Sequence, residues 1–108
     1  MVEYAMSLDS IFSSLADPTR RDILRRVSSQ ELSVGEIAQP YDLTFAAVSK
    51  HLKVLEKAKL IIKKRRGKEQ MVSIAPQALK GVDDYLEFYR QLWESRFDSL
   101  ENYLRKGE

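Results

Sequence analysis

The chain has 108 residues, which is enough for one domain with a modest hydrophobic core. Its composition, 44% hydrophobic and 31% charged residues, is typical of a globular, mostly helical protein and argues against a disordered or fibrous one. The absence of cysteine excludes disulfide bonds, thiolate metal sites and cysteine nucleophiles. The sequence has neither a signal-peptide pattern nor an apolar run as long as a membrane span, so we expect a cytoplasmic protein without membrane contact.

Positive charge is concentrated in the middle of the sequence. The formal net charge is only +2, but residues 20–68 contain 13 Lys and Arg against 5 Asp and Glu. Nine of these bases lie between Lys50 and Lys68, where Glu56 is the one acid. Such a segment favours a polyanionic partner, because binding to phosphates releases counterions. The alternative is a charged face that contacts only water.

Two helices are predicted at the start of the chain. Asp17 suits the N-cap of the second helix, and Pro18 suits its first position, where a missing N–H costs nothing. We expect this helix to end at about Val27. The first helix is predicted over 7–16 from apolar residues at helical spacing, namely Leu8, Ile11, Phe12 and Leu15.

The next two helices have the arrangement of a helix-turn-helix. Ser33 and Glu36 form the capping-box pattern of a short third helix, which ends before Pro40. Thr44 is then the N-cap of a fourth helix, predicted over 44–59. Its apolar positions at helical spacing are expected to face the core, and they are Val48, Leu52 and Leu55.

A basic hairpin and a long helix complete the predicted fold. One strand begins at Leu60–Ile62, Arg65–Lys68 makes the turn, and a second strand follows at Met71–Ile74. The pattern over 76–105 is helical, with Gly81 marking either a kink or a later start. This order predicts a mostly α fold with a small β-hairpin wing, a winged helix-turn-helix with a long C-terminal helix.

The fourth helix and the hairpin suit binding to double-stranded DNA. Small side chains at Ala46 and Ser49 would let the helix enter a major groove, where Ser49 can hydrogen-bond to base edges and Phe45 or Ala46 can contact a thymine methyl. Lys50 and Lys53 can reach guanine or phosphates, and the cations of the hairpin can follow the backbone or enter the minor groove. The predicted DNA contacts are Thr44, Phe45, Ala46, Ser49, Lys50, His51, Lys53, Arg65, Arg66 and Lys68.

His51, in the fourth helix, is the single histidine of the sequence. Without a second His or any Cys it is a poor metal ligand, and it lacks a nucleophile partner for catalysis. We expect it to pack at the edge of the helix and to hydrogen-bond to a phosphate or a backbone group. We therefore predict neither a metal nor a cofactor.

An apolar stripe along the last helix predicts a homodimer. Apolar residues recur at steps of three and four from Val82 to Leu104, and further aromatic residues add a second apolar face. One helix of a small domain cannot bury both faces against its own core, so we infer that a second subunit covers one of them. A helix folded back over the domain and an aromatic ligand pocket are the alternatives. The stripe residues predicted at the dimer interface are Leu86, Tyr89, Trp93, Phe97 and Leu100.

Three segments resemble the ArsR/SmtB family of bacterial winged-helix repressors: Leu15–Arg21, Leu32–Ala38 and Leu43–Leu55. The resemblance implies operator binding by helix 44–59 and repression that a signal relieves. It also implies a dimer built from the first and last helices, which adds Leu8, Ile11 and Phe12 to the interface. By position, Phe45, Ala46, Ser49 and Lys50 match DNA-facing residues of the family, and Arg66–Lys68 match the wing tip.

The sequence departs from the metal-sensing members of that family. Where those members carry Cys around the third helix, this chain has Ser33 and Gly35. Other members use Asp and His sets on the last helix, but His51 lies in the fourth. Metal sensing by either arrangement is therefore not expected, and the identity of any effector is open.

These observations combine into one hypothesis, a homodimeric transcriptional repressor that binds a palindromic operator. The alternative is a winged-helix interaction module whose basic face binds an acidic protein or RNA. No glycine-rich phosphate loop or catalytic constellation stands out, so we do not expect an enzyme. The hypothesis assigns one domain to 1–108, a DNA-binding core to about 17–75, dimerisation helices to about 7–16 and 76–105, and DNA contacts to helix 44–59 and the basic wing 63–70.

Overall fold

The computed structural model describes the backbone of residues 2–107 and the side chains of residues 8–107. The chain divides into two compact units, one ending at Ala78 and one beginning at Leu79. The mostly α fold with a small β-hairpin wing and a long C-terminal helix is confirmed. In chain order the elements are α1 (Val2–Ser14), α2 (Pro18–Ser29), β1 (Leu32–Ser33), α3 (Val34–Ala38), α4 (Phe45–Lys57), β2 (Ile61–Arg66), β3 (Glu69–Ile74) and α5 (Lys80–Lys106).

Side-chain caps begin three helices where the sequence predicts them. The Asp17 carboxylate accepts a hydrogen bond from the Arg20 backbone N–H at 3.0 Å and begins α2. Ser33 and Glu36 form a reciprocal capping box at the start of α3, with bonds of 3.1 and 2.9 Å. The Thr44 hydroxyl accepts from the third residue of α4 at 3.0 Å. These caps satisfy backbone N–H groups that have no partner within the helix.

The wing belongs to a three-stranded antiparallel sheet with strand order β1-β3-β2. β1 was not predicted, because two residues are too short to show a strand period. Leu32 of β1 lies opposite Val72 of β3, and Arg66 lies opposite Glu69 at the tip of the hairpin. The turn is shorter than predicted, since β2 extends to Arg66 and Gly67 turns the chain with a φ of 63°.

The core of the first unit lies among α2, α3, α4 and the sheet. The predicted inward side of α4 is confirmed, since its three apolar residues are at most 1% exposed. β3, the central strand, contributes a side chain that is fully buried. Deeply buried residues of this core are Ile23, Val27, Ile37, Val48, Leu52, Leu55, Leu60 and Val72.

Two predicted helix boundaries are wrong, and a third falls at the later of the two starts that the sequence left open. α1 covers Val2–Ser14 and not 7–16, because Asp17 adopts the extended conformation of an N-cap and the chain must leave the helix before it. α4 ends at Lys57 and not at 59, since Lys59 has a left-handed φ of 63°. α5 begins at Lys80, because residues 76–79 form a turn in which the Ala78 N–H bonds to Ala75 O at 3.0 Å. The later start that Gly81 allowed is therefore the observed one.

α5, taken by itself, is a 27-residue helix with no buried side chain. Its length is roughly 40 Å at 1.5 Å per residue. Trp93 and Phe97 stack with ring centroids 5.7 Å apart, and Tyr85 and Tyr89 lie 5.2 Å apart. Arg90 bridges to acids one and two turns before it. Within residues 2–107 no helix is both long and apolar enough to cross a membrane.

Candidate nucleic-acid interface

α4 has an anchored side and an outer side, as a recognition helix requires. Val48, Leu52 and Leu55 hold it on the core. Ala46, Lys50 and Lys53 recur at helical spacing on the outer side, and all three are exposed. Two positively charged side chains and one short side chain therefore face solvent along a helix whose position the core fixes.

Arg26 fastens the turn before α4 to α2, a contact that sequence reasoning missed. Its guanidinium donates to Ile37 O at 2.8 Å and to Glu36 O at 2.9 Å, near the end of α3. The same group lies 5.4 Å from the ring centroid of Tyr41, which follows α3. With these contacts Arg26 is half-buried, although an arginine usually lies on the surface.

Tyr41 makes a second link between this turn and α2. Its hydroxyl donates a hydrogen bond to the Asp22 carboxylate, which also accepts from Arg25 at 2.5 Å. The pKa of Asp22 is lowered below its ordinary value of 3.8, chiefly by the hydrogen bond from Tyr41 and then by the one from Arg25. Burial, followed by the bond to Asp22, raises the pKa of Tyr41 above 10.0. The helix-turn-helix is thus held by polar contacts as well as by its core.

His51 of α4 is directed at the junction of α1 and α2. Its Nδ1 lies 3.4 Å from Nη1 of Arg20 and 3.9 Å from Oδ2 of Asp17. Arg20 also donates to Ser14 O at 2.7 Å, which ties the end of α1 to the same place. The bond from the Arg20 backbone N–H is the largest cause of the lowered pKa of Asp17. The expected packing of His51 at a helix edge agrees with this position, and its contact with DNA stays a prediction.

One face of the wing is turned toward α4. Alternate residues of a strand point to opposite sides of a sheet. Ile61 is buried, and Nζ of Lys63 lies 3.4 Å from Glu56 of α4, so odd-numbered residues of β2 face this helix. Arg65 has the same parity and is exposed beyond the core. Arg65 is therefore a cation on the α4 side of the wing, and the exposed Lys68 at the turn borders the same groove as Phe45 and Ser49 of α4.

Arg66 lies on the other face of the wing and has an acidic partner. Its Nη1 is 2.8 Å from Oε1 of Glu31, the residue before β1. The Arg66 side chain keeps 71% of its surface exposed, so water screens this ion pair. Sequence reasoning treated Arg66 as a free cation, because nothing local indicates that a residue 35 positions earlier lies beside it.

The residues predicted at a dimer interface fall into two groups. Leu8 and Ile11 of α1 are 8% and 5% exposed within a single chain, whereas Phe12 is 41% exposed. A partner can therefore cover more of Phe12 than of the other two. The α5 residues of the prediction are all substantially exposed, and they are Leu86, Tyr89, Trp93, Phe97 and Leu100. Their role as an interface stays a prediction.

No group of three or more His, Cys, Asp or Glu side chains that could hold a metal ion occurs among the residues described here. Asp17 and His51 approach each other, but they are two ligands and not three. The structure thus offers no evident metal centre in this part of the chain.

Comparison with known proteins identifies the regulatory class. A helix-turn-helix domain family matches residues 15–63. The HTH-type transcriptional regulator Rv2034 of Mycobacterium tuberculosis is 38% identical over 76 residues, which are 70% of this chain and 71% of the relative. The transcriptional repressor SmtB homolog of Synechocystis is 30% identical over 94 residues, 87% of this chain and 70% of the relative.

Solved structures share the fold. The crystal structure of an ArsR family transcriptional regulator matches with a TM-score of 0.77 and 34% identity, over 84% of this chain and 94% of that one. The homodimeric winged helix-turn-helix DNA-binding domain of Mb0332 from Mycobacterium bovis matches with a TM-score of 0.68 and 20% identity, over 83% of each chain, which shows the fold alone. From the sequence relatives and the geometry together, this chain belongs to the ArsR/SmtB family of winged helix-turn-helix transcriptional regulators.

Proposed function

We propose that this protein is a homodimeric transcriptional repressor that binds a palindromic operator through α4 and the wing. The observation that carries the proposal is the pairing of two cationic elements on one side of the fold. α4 exposes Lys50 and Lys53 while its other side is held by the core. The wing adds Arg65 and Lys68 on the side that faces α4.

The two elements have different tasks in this proposal. α4 enters the major groove, where Ser49 and Lys50 contact base edges and determine the sequence preference. Lys53, Arg65 and Lys68 contact phosphates, which position the protein without reading sequence. Arg66 contributes less than its charge suggests, because Glu31 lies 2.8 Å from its Nη1 and competes with phosphate for it.

The exposed stripe of α5 supports a dimer. Phe97 and Trp93 are 61% and 58% exposed, and they continue a row of apolar residues along one side of the helix. A contiguous apolar row of this kind marks a protein interface. A two-fold dimer places its two recognition helices about 34 Å apart, one turn of DNA, and so requires an operator with inverted half-sites.

The test is fluorescence anisotropy with duplex DNA from upstream of the protein's own gene, compared with a scrambled duplex, over a range of salt concentrations. We expect selective binding to the upstream duplex. The logarithm of the association constant should fall linearly with the logarithm of the salt concentration, with a slope of about −0.9 for each phosphate neutralised. Lys53→Ala combined with Lys68→Ala should weaken binding to all sequences and flatten this slope. Lys80→Ala combined with Lys106→Ala, two exposed lysines of α5, is the matched control and should leave the slope unchanged.

Equal, weak binding to the upstream and the scrambled duplex would mean that the operator does not lie there, and the comparison would be extended to further genomic fragments. Two results would contradict the proposal itself. In the first, no fragment binds selectively; in the second, the two double variants have the same affinity and the same salt slope. Either result would mean that the cations of α4 and the wing bind a partner other than operator DNA. An acidic protein or an RNA is then the class to test.

A further inference from the structure

Phe45 is a large apolar side chain that remains in water at the start of α4. Its spacing to Val48 and Leu52 places it in line with the core side of the helix. Those two residues are 0% and 1% exposed, whereas Phe45 is 65% exposed. The hydrophobic core therefore does not extend to the first turn of α4, and the Phe45 side chain lies outside it.

Phe45 borders a groove of about 370 Å³ between α4 and the wing. Ser49 and Leu52 continue the α4 wall, and Lys63 and Lys68 lie on the wing wall. Gly35 borders the same space, and a Cβ added there would meet only the Ser33 Oγ, at 3.9 Å. The groove thus combines apolar surface and small side chains on one side with two lysines on the other, where Glu69 and Gln70 complete the wing wall.

A nucleotide carries groups that suit both walls of this groove. Its phosphate is an anion, and in the major groove thymine presents a 5-methyl group that no other standard base carries there. A strand that passes from α4 to the wing would bring phosphate toward the lysines and a base edge toward Phe45. Contact between the ring and the methyl removes apolar surface from water, which favours thymine over the other bases.

We propose that Phe45 is a specificity residue that contacts the 5-methyl group of one thymine in each half-site. This inference rests on the proposed function, since it needs α4 to lie in a major groove. The sequence alone did not decide whether Phe45 or Ala46 contacts the thymine methyl. The structure favours Phe45, because the Ala46 side chain ends at Cβ whereas the exposed ring of Phe45 reaches farther and lies on the wing side of the helix.

The test replaces each thymine of the shortest selectively bound duplex by deoxyuridine, which removes the methyl group and keeps the base pair. At one position in each half-site we expect the wild-type protein to lose about fourfold in affinity, the factor for burying one methyl-sized group. Phe45→Ala should bind the unmodified duplex more weakly and should lose nothing further at that position. Phe45→Leu, which keeps apolar contact and tests for a merely structural loss, should retain part of the sensitivity.

The outcomes separate the two proposals. Selective binding of the unmodified duplex with no deoxyuridine position that distinguishes wild type from Phe45→Ala would overturn this inference and leave the proposed function intact. An equal deoxyuridine effect in both proteins would also overturn it, because another residue would then read the methyl. Absence of selective binding to any duplex would overturn both proposals.

Discussion

Arg26 is the residue whose replacement tests most directly how the turn before α4 is held. Arg26→Met keeps most of the side-chain stem but removes the hydrogen bonds to Ile37 O and Glu36 O, at 2.8 and 2.9 Å. It also removes the contact of the guanidinium with the Tyr41 ring. The two carbonyls belong to the end of α3, so the variant loosens the segment that leads into α4.

The expected loss of stability follows from these contacts. The part-buried bond to Ile37 O is worth about 1.5 kcal/mol, and the more exposed bond to Glu36 O about 0.5 kcal/mol. The cation–π contact adds about 0.5 kcal/mol near the surface. We therefore expect Arg26→Met to lower the free energy of unfolding by about 2.5 kcal/mol, a large share of a small domain's stability.

Urea unfolding followed by circular dichroism at 222 nm measures this difference. All proteins must be compared at one concentration, because the stability of a dimer depends on it. Arg25→Met is the matched control, since the neighbouring Arg25 side chain is 80% exposed and bonds only to Asp22 among the contacts of this turn. If both variants unfold at the same urea concentration, the bonds of Arg26 do not hold the turn and the reasoning is refuted.

Three further predictions concern the wing, α5 and pH. Glu31→Gln should release Arg66 for contact with a phosphate. The salt dependence of DNA binding should then become steeper by about 0.9 for each additional phosphate neutralised. Glu69→Gln also removes an acid near the wing, and an equal change in that variant would indicate a general charge effect instead. Trp93→Asp should dissociate the dimer in sedimentation velocity while Gln91→Asp does not, and a dimeric Trp93→Asp protein would exclude the stripe as the interface. Because the folded state lowers the pKa of Asp22 below 3.8, chiefly through Tyr41, that stabilisation is present above pH 3.8 and is lost as pH falls through the lower folded pKa. Tyr41→Phe should therefore reduce the loss of stability in acid titrations below about pH 4, and an unchanged acid profile would contradict this origin of the shift.

The sequence by itself determined the starts of α2, α3 and α4 and the order of the elements other than β1. Asp17, Ser33 and Thr44 each cap a helix through bonds to residues three positions later, and such short-range contacts are visible as sequence patterns. The core side of α4 was equally predictable, because a helix that packs on a core on one side repeats its apolar residues at a fixed spacing.

Tertiary structure decided the contacts between distant residues. β1 exists because Leu32 pairs with Val72, 40 positions later, and two residues carry no period of their own. The link from Arg26 to the end of α3 and the pairing of Arg66 with Glu31 likewise depend on how helices and strands pack. The identity of a basic residue does not reveal whether its side chain contacts water, a carbonyl or a carboxylate. Only the folded chain brings its partner within hydrogen-bond distance, and for this reason the sequence predicted a cationic surface but not which of its cations are free.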